Sequence, residues 1–270
     1  MVDWLKKIKP DYLLVMGCPQ ILKRPLLDIP RLGSINYHYS ALPKYGGCDA
    51  PFWSVLYGER ETANTFHFVK EEIDVGSILV QDAVAIMEDD SVNELRYRLV
   101  MSAQDSLCKL LRQIATGNLT PTTQDLNLRI YRSAKDCIQM RQICWQHPAE
   151  VIGHIGRVGG ILCAWLANGQ KLFFSKISLE LDTTKTKDTL PGTVVKVERD
   201  RILCSCRDSL IWLWKKKTLG FLHNPFQHKF YPGEKLLGRE YNKELDEPVV
   251  QYVTEQMGRR SSLRDGSNPP

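Results

Sequence analysis

Asn36 and His38 stand two residues apart in Ser34-Ile35-Asn36-Tyr37-His38, where apolar and polar residues alternate. Side chains at i and i+2 of a strand project from one face. The spacing therefore sets an amide donor beside an imidazole that can carry a proton near neutral pH. A carboxylate follows at Asp74, in the acidic turn Glu71-Glu72-Ile73-Asp74-Val75-Gly76, just ahead of another strand. A bare Asn-x-His pair reads more readily as a structural histidine than as a catalytic one, and its meaning comes from context. Here the context is Ser40, Leu42-Pro43, Tyr45 and Gly47 at fixed offsets. The simplest role for Ser40 is a turn hydroxyl bonded to backbone.

The elements that must position these residues are legible around them. Asp11–Met16 reads as a buried strand running into Gly17-Cys18-Pro19. After His38, Leu42-Pro43 halts regular structure and Gly46-Gly47 permits a tight turn. Asp49 is placed as an N-cap, with Pro51 early in a helix that runs to Tyr57. Strand, polar pair, loop and helix in succession is how an α/β site is built at the carboxyl end of a strand. Further strands are predicted over Thr62–Val69 and Ser77–Ile86. Ser91-Val92-Asn93-Glu94 then opens a long helix as a capping box. Leu95, Leu99, Ala103, Leu107, Leu110, Leu111 and Ile114 mark its sheet-facing stripe, and Gly117 closes it.

Residues 118–130 carry little apolar pattern and end a first domain, 1–130. Helices at Ser133–Trp145 and Pro148–Val158 make a connector, 131–160. From Leu162 the period changes to two. Leu162–Ala167 and Lys171–Leu181 flank the hairpin signal Asn168-Gly169, and strands follow at Thr193–Glu198, Ile202–Cys206 and Leu210–Lys215. Short strands with tight turns predict a small β-barrel over 161–245. The polar tail, 246–270, is expected to be disordered.

An apolar fraction of 43% and a charged fraction of 25% are those of an ordinary globular protein. No apolar run approaches a membrane span, and the first residues lack the apolar core of a secretion signal. The eight cysteines are scattered. Cys204 and Cys206 form the one close pair, and no second pair with zinc-ligand spacing answers them, so no metal is expected. Reduced thiols in a cytoplasmic protein are the reading. A net charge of +5 permits an anionic substrate or nucleic acid without demanding one.

The combined pattern resembles the folate-dependent formyltransferase family. It is carried by Asn36, His38, Ser40, Leu42-Pro43, Tyr45 and Gly47, then by Ile73-Asp74-Val75-Gly76-Ser77-Ile78. Upstream it extends to Met16-Gly17-Cys18-Pro19-Gln20-Ile21-Leu22. Downstream it runs through Trp145-x-x-Pro148-Ala149 to Pro191-Gly192-Thr193-Val194, covering most of 10–240. The layout is nearest to members that formylate methionyl-tRNA. The resemblance implies an α/β architecture: a truncated Rossmann-like formyltransferase domain with a predominantly parallel sheet, followed by an OB-like C-terminal barrel. It also implies 10-formyltetrahydrofolate as co-substrate, with a formyl group passing to an amine through a tetrahedral oxyanion. Asn36, His38 and Asp74 fall on the catalytic trio. Asn36 is suited to hold the oxyanion and His38 to stabilise it or take the amine proton. Asp74 would raise the imidazole pKa and help relay protons. Gln20, Ile21, Leu22, Glu72 and Ile73 fall where the family holds the pterin.

Three departures accompany the match. Gly46 stands where relatives carry Arg or Lys, and Cys144 where they carry Asp. Relatives also begin with further β/α units, so the resemblance implies that this chain starts after them and leaves Asp11–Met16 at a sheet edge. For the acceptor, the run Lys215-Lys216-Lys217 beside Trp212 and Trp214 suits a phosphate backbone, against a plainer reading as a solvated strand end with core tryptophans. tRNA is the first acceptor expected; a sugar nucleotide or a carrier-bound amino acid is the second. Hydrolysis of the formyl donor, or an inactive remnant that binds folate or RNA, are the alternatives.

Overall fold

The structure is a computed structural model and describes residues 2–18, 20–180, 189–215 and 228–264. The chain divides into two compact units, Met1–Val55 with Glu59–Ala134, and Leu56–Gly58 with Lys135–Pro270.

The first unit opens with helix α1 (Val2–Ile8), strand β1 (Tyr12–Met16) and the short helix α2 (Arg24–Leu27). Strand β2 (Gly33–His38), the two-residue β3 (Gly46–Gly47) and helix α3 (Ala50–Leu56) follow, then β4 (Glu61–Phe68) and β5 (Ile78–Ala85). Four strands form one sheet in the order β1-β2-β4-β5, with β1 at one edge. Only β1 and β2 run parallel; β2–β4 and β4–β5 are antiparallel. The expectation of a predominantly parallel sheet is thus corrected. A parallel neighbour needs a crossover of a dozen or more residues, and the acidic turn between β4 and β5 is too short to supply one.

Alternation along β2 divides its side chains between two faces. Ile35 and Tyr37 enter the core with Phe66, Leu79, Val80, Ala103 and Leu110, while Asn36 and His38 project from the other face. Helix α4 (Val92–Thr116) covers the core side. Its capping box is formed as predicted: Glu94 N–H donates to Ser91 Oγ and Ser91 N–H to Glu94 Oε2. Gly117 closes it in the left-handed conformation, with φ 69°. Leu95, Leu99, Ala103 and Leu110 are buried. Leu111, assigned from sequence to the same stripe, is 51% exposed, because one residue beyond Leu110 the helix has turned away from the sheet. Strand β6 (Tyr131–Arg132) then returns to pair in parallel with β3.

In the second unit, helices α5 (Ala134–Met140) and α6 (Ala149–Gly159) precede five antiparallel strands: β7 (Leu162–Trp165), β8 (Lys171–Leu179), β9 (Val194–Val197), β10 (Arg201–Ser205) and β11 (Leu210–Lys215). Their order is β7-β8-β11-β10-β9. Isolated bridges Trp165–Leu237 and Thr193–Lys235 tie the following segment to both edge strands. Of the tail expected to be disordered, 246–270, residues 265–270 lie outside the described residues, and those up to Arg264 instead belong to helix α7 (Lys243–Arg264). The reason lies in its apolar spacing: Leu245, Val249 and Val253 recur every four residues and are buried. Asp246, fully buried, is held by the guanidinium of Arg239 and lies 3.2 Å from His147 Nε2. All eight cysteines are unbridged. Among the described residues no helix is long and apolar enough to cross a membrane.

Candidate active site

β2, the loop carrying Gly47 and the turn before β5 meet at one point. His38 Nδ1 lies 3.6 Å from Asp74 Oδ2, and that oxygen also accepts the Gly47 N–H at 2.8 Å. Asp74 adopts the left-handed backbone region, with φ 56°, which a residue with a Cβ rarely occupies. The strain is held in place because Gln124 Nε2 donates to the carbonyls of both Asp74 and Gly76. Gly47 has φ 97°, and a Cβ there would sit 2.3 Å from the Arg132 carbonyl, so the close approach that delivers its N–H to Asp74 requires glycine.

A fourth member was not singled out from sequence. His67 Nε2 lies 3.4 Å from Asp74 Oδ1 and 3.3 Å from Asn36 Nδ2, while its Nδ1 N–H donates to the Phe68 carbonyl. The signal was present in the pairing: Asn36 and His67 are directly opposed in the β2–β4 register, and opposed residues share a sheet face. Asn36, His38, His67 and Asp74 are thereby brought together. Ser40 is fully buried and its hydroxyl donates to the Lys44 carbonyl, the turn role anticipated for it.

Burial dominates at His38 and pushes its pKa below the ordinary 6.5, against the upward pull of Asp74 and of the Tyr45 carbonyl. The expectation that Asp74 leaves the imidazole pKa raised is thereby corrected: the carboxylate acts in that direction, and desolvation outweighs it. At neutral pH His38 is uncharged. Its Nε2 N–H donates to the Tyr45 carbonyl at 2.9 Å, which leaves Nδ1, on the Asp74 side, as the basic nitrogen. For Asp74 burial is again the largest influence and raises the pKa. The hydrogen bond to His67, the charge that His38 takes on in acid and the Gly47 N–H together overcome it and hold the carboxyl at about 2.

All four residues line a cavity of about 640 Å³. Gln20, Ile21, Leu22 and Ile73 line it too, together with Val15, Val69 and Glu71. Glu72 does not; it turns to Arg129, 2.6 Å away. The cavity volume lies within the usual range for a small-molecule site. Its lining combines apolar residues such as Val15, Ile21, Leu22 and Ile73 with the polar groups of Asn36, His38, His67 and Asp74.

Of the basic run, Lys216 and Lys217 lie outside the described residues. Lys215 donates to the carbonyls of Glu198 and Arg199, and its ammonium sits 5.2 Å from the Phe230 ring. Cations are nonetheless stacked on aromatics across this sheet. Arg201 lies 3.9 Å from the Trp212 ring centroid, and Lys176 lies 5.0 Å from that of Trp214. Trp212 is buried in a cluster with Leu203 and Leu210, so one tryptophan serves the core as well.

A family model described as formyl transferase matches residues 1–111, and one described as formyl transferase, C-terminal domain, matches residues 138–219. The methionyl-tRNA formyltransferase of Clostridium tetani is 29% identical over 243 residues, 90% of this chain and 76% of that protein. That of Alkaliphilus metalliredigens is 32% identical over 207 residues, 75% of this chain and 64% of the relative. Among solved structures, the sugar 3N-formyl transferase WlaRD aligns with a TM-score of 0.54 and 21% identity, over 80% of this chain and 77% of its own. HypX from Aquifex aeolicus, solved with tetrahydrofolic acid, aligns with a TM-score of 0.56 and 14% identity, over 80% of this chain and 39% of its own. Both structures share the fold.

Proposed function

Because the chain belongs to the formyl transferase family, we propose that it moves a formyl group from 10-formyltetrahydrofolate to the amino group of methionyl-tRNA. The observation that carries this reading is the convergence of Asn36, His38, His67 and Asp74 on one cavity sized for a pterin. Gln20, Ile21, Leu22 and Ile73 offer the apolar wall and backbone groups that would hold the donor. The donor supplies an activated formyl carbon. His38 Nδ1 takes the proton of the attacking amine, and Asp74 stabilises the imidazolium that results. Asn36 Nδ2 donates to the formyl oxygen as negative charge builds there. The proton held at His38 is then available to the nitrogen that leaves. With its Nδ1 N–H given to Phe68, His67 accepts from Asn36 Nδ2 at Nε2 and orients that amide.

The acceptor assignment is supported by the Clostridium and Alkaliphilus relatives and by the stacked cations on the second sheet, which we read as part of a small OB-type barrel. The test is to incubate the purified protein with 10-formyltetrahydrofolate and methionyl-tRNA, following tetrahydrofolate release and formyl-methionine separately. Wild type is expected to form both products, and Asn36→Ala to lose about 10²–10³-fold in rate. Folate release without formyl-methionine would assign a hydrolase. No release in wild type, or equal release in His38→Ala, would end the catalytic reading.

A further inference from the structure

The outward face of α4 carries a second periodicity. Tyr97, Met101, Gln104, Cys108, Leu111 and Ala115 recur at alternating spacings of four and three, the a/d repeat of a coiled-coil seam. All six are exposed, Tyr97 by 69%, Met101 by 52% and Leu111 by 51%. The stripe that packs on the sheet, Leu95, Leu99, Ala103 and Leu110, is a different set of residues. α4 thus has one seam buried in its own unit and another that nothing covers among the described residues.

We propose that this second seam is a homodimer interface, in which α4 pairs antiparallel with α4 of a second copy about a twofold axis. The seam complements itself in that direction. When Met101 faces Leu111 of the second copy, Tyr97 faces Ala115 and Gln104 faces Cys108. The bulkiest residue then meets the smallest at both ends. The polar pair falls in the middle, where a polar core residue fixes register at some expense of stability. Asp105 and Arg112, both exposed on one flank a heptad apart, come opposite each other's counterparts twice. Such surface pairs contribute little energy but favour one alignment. A parallel pairing would instead stack Tyr97 on Tyr97 and Cys108 on Cys108, and leave Asp105 away from Arg112. The contact is isologous, so it closes at two chains. Arg96 and Val100, which line the cavity, lie beside the seam on the same helix. The proposal does not depend on the catalytic assignment.

Sedimentation equilibrium of the full chain across a dilution series tests it. The expected result is a mass that doubles with concentration and returns to one chain in Leu111→Glu, an exposed position whose substitution leaves the circular dichroism unchanged. In a Cys18→Ser background, Gln104→Cys is expected to yield, on mild oxidation, a disulfide between Cys108 and the introduced thiol of the second copy, identified by peptide mass. A single-chain mass at every concentration would overturn the proposal, as would a dimer indifferent to Leu111→Glu. Linkage solely through Cys108 to Cys108 would overturn the antiparallel arrangement.

Discussion

His38 is a buried base whose usefulness depends on being uncharged. Its pKa is depressed chiefly by burial, so the neutral form prevails through neutrality and is lost only as pH falls below the ordinary histidine range. The kcat/KM profile of wild type is therefore expected to be flat at neutral pH, with its acid limb below 6.5. Asp74→Asn removes the one neighbouring charge that raises the pKa. The limb should then move further to the acid side while the plateau drops, since the imidazolium loses its stabilising partner. A limb that moves upward in this variant would show that Asp74 does not act on His38. From sequence, the shared face of Asn36 and His38 was legible in their spacing, whereas Asp74 was joined to them through the family resemblance, and the structure brings the three together. His67 was not legible, because its place opposite Asn36 is a matter of strand register, which two strands acquire only when paired.

At the scale of elements, legibility followed local chemistry. The capping box and terminal glycine of α4 are written within a few residues of each end, and both ends were predicted. The direction of β4 beside β2 was not, because it depends on where the chain returns after α3. α7 was missed since its polar residues hide three apolar ones whose burial is decided by tertiary packing. α6 carries a testable consequence of such packing. His154 accepts from Arg157 at Nδ1 and donates from Nε2 to the Leu56 carbonyl, so both nitrogens are committed in the neutral ring. Burial, against the pull of the Leu56 carbonyl and assisted by the Arg157 charge, lowers its pKa to about 4. The folded value lies below the unfolded one. Stability should thus be intact above 6.5 and eroded as pH falls through about 4. Urea unfolding of wild type and His154→Gln across that range measures it; the variant should lose this part of the pH dependence.

Over the whole molecule, the two units carry different parts of the proposed task. The groups proposed as catalytic all lie in the first, and the stacked cations Arg201 and Lys176 lie in the second. Arg201→Ala is expected to raise KM for methionyl-tRNA and to flatten its salt dependence, with kcat nearly unchanged. A fall in kcat alone would argue against the second unit as an acceptor platform. The first unit holds one more consequence, in its order of assembly. The loop bearing Gly47 is pinned by Ile130 and Arg132, which bond to Gly46 and Cys48, and the turn bearing Asp74 is pinned by Gln124. In synthesis from the N-terminus, the residues of the sheet and α4 therefore all precede those that clamp the candidate site. Until residue 132 has been added, the candidate site lacks part of what holds its loops in place. The geometry of the candidate site is thus written last in the first unit.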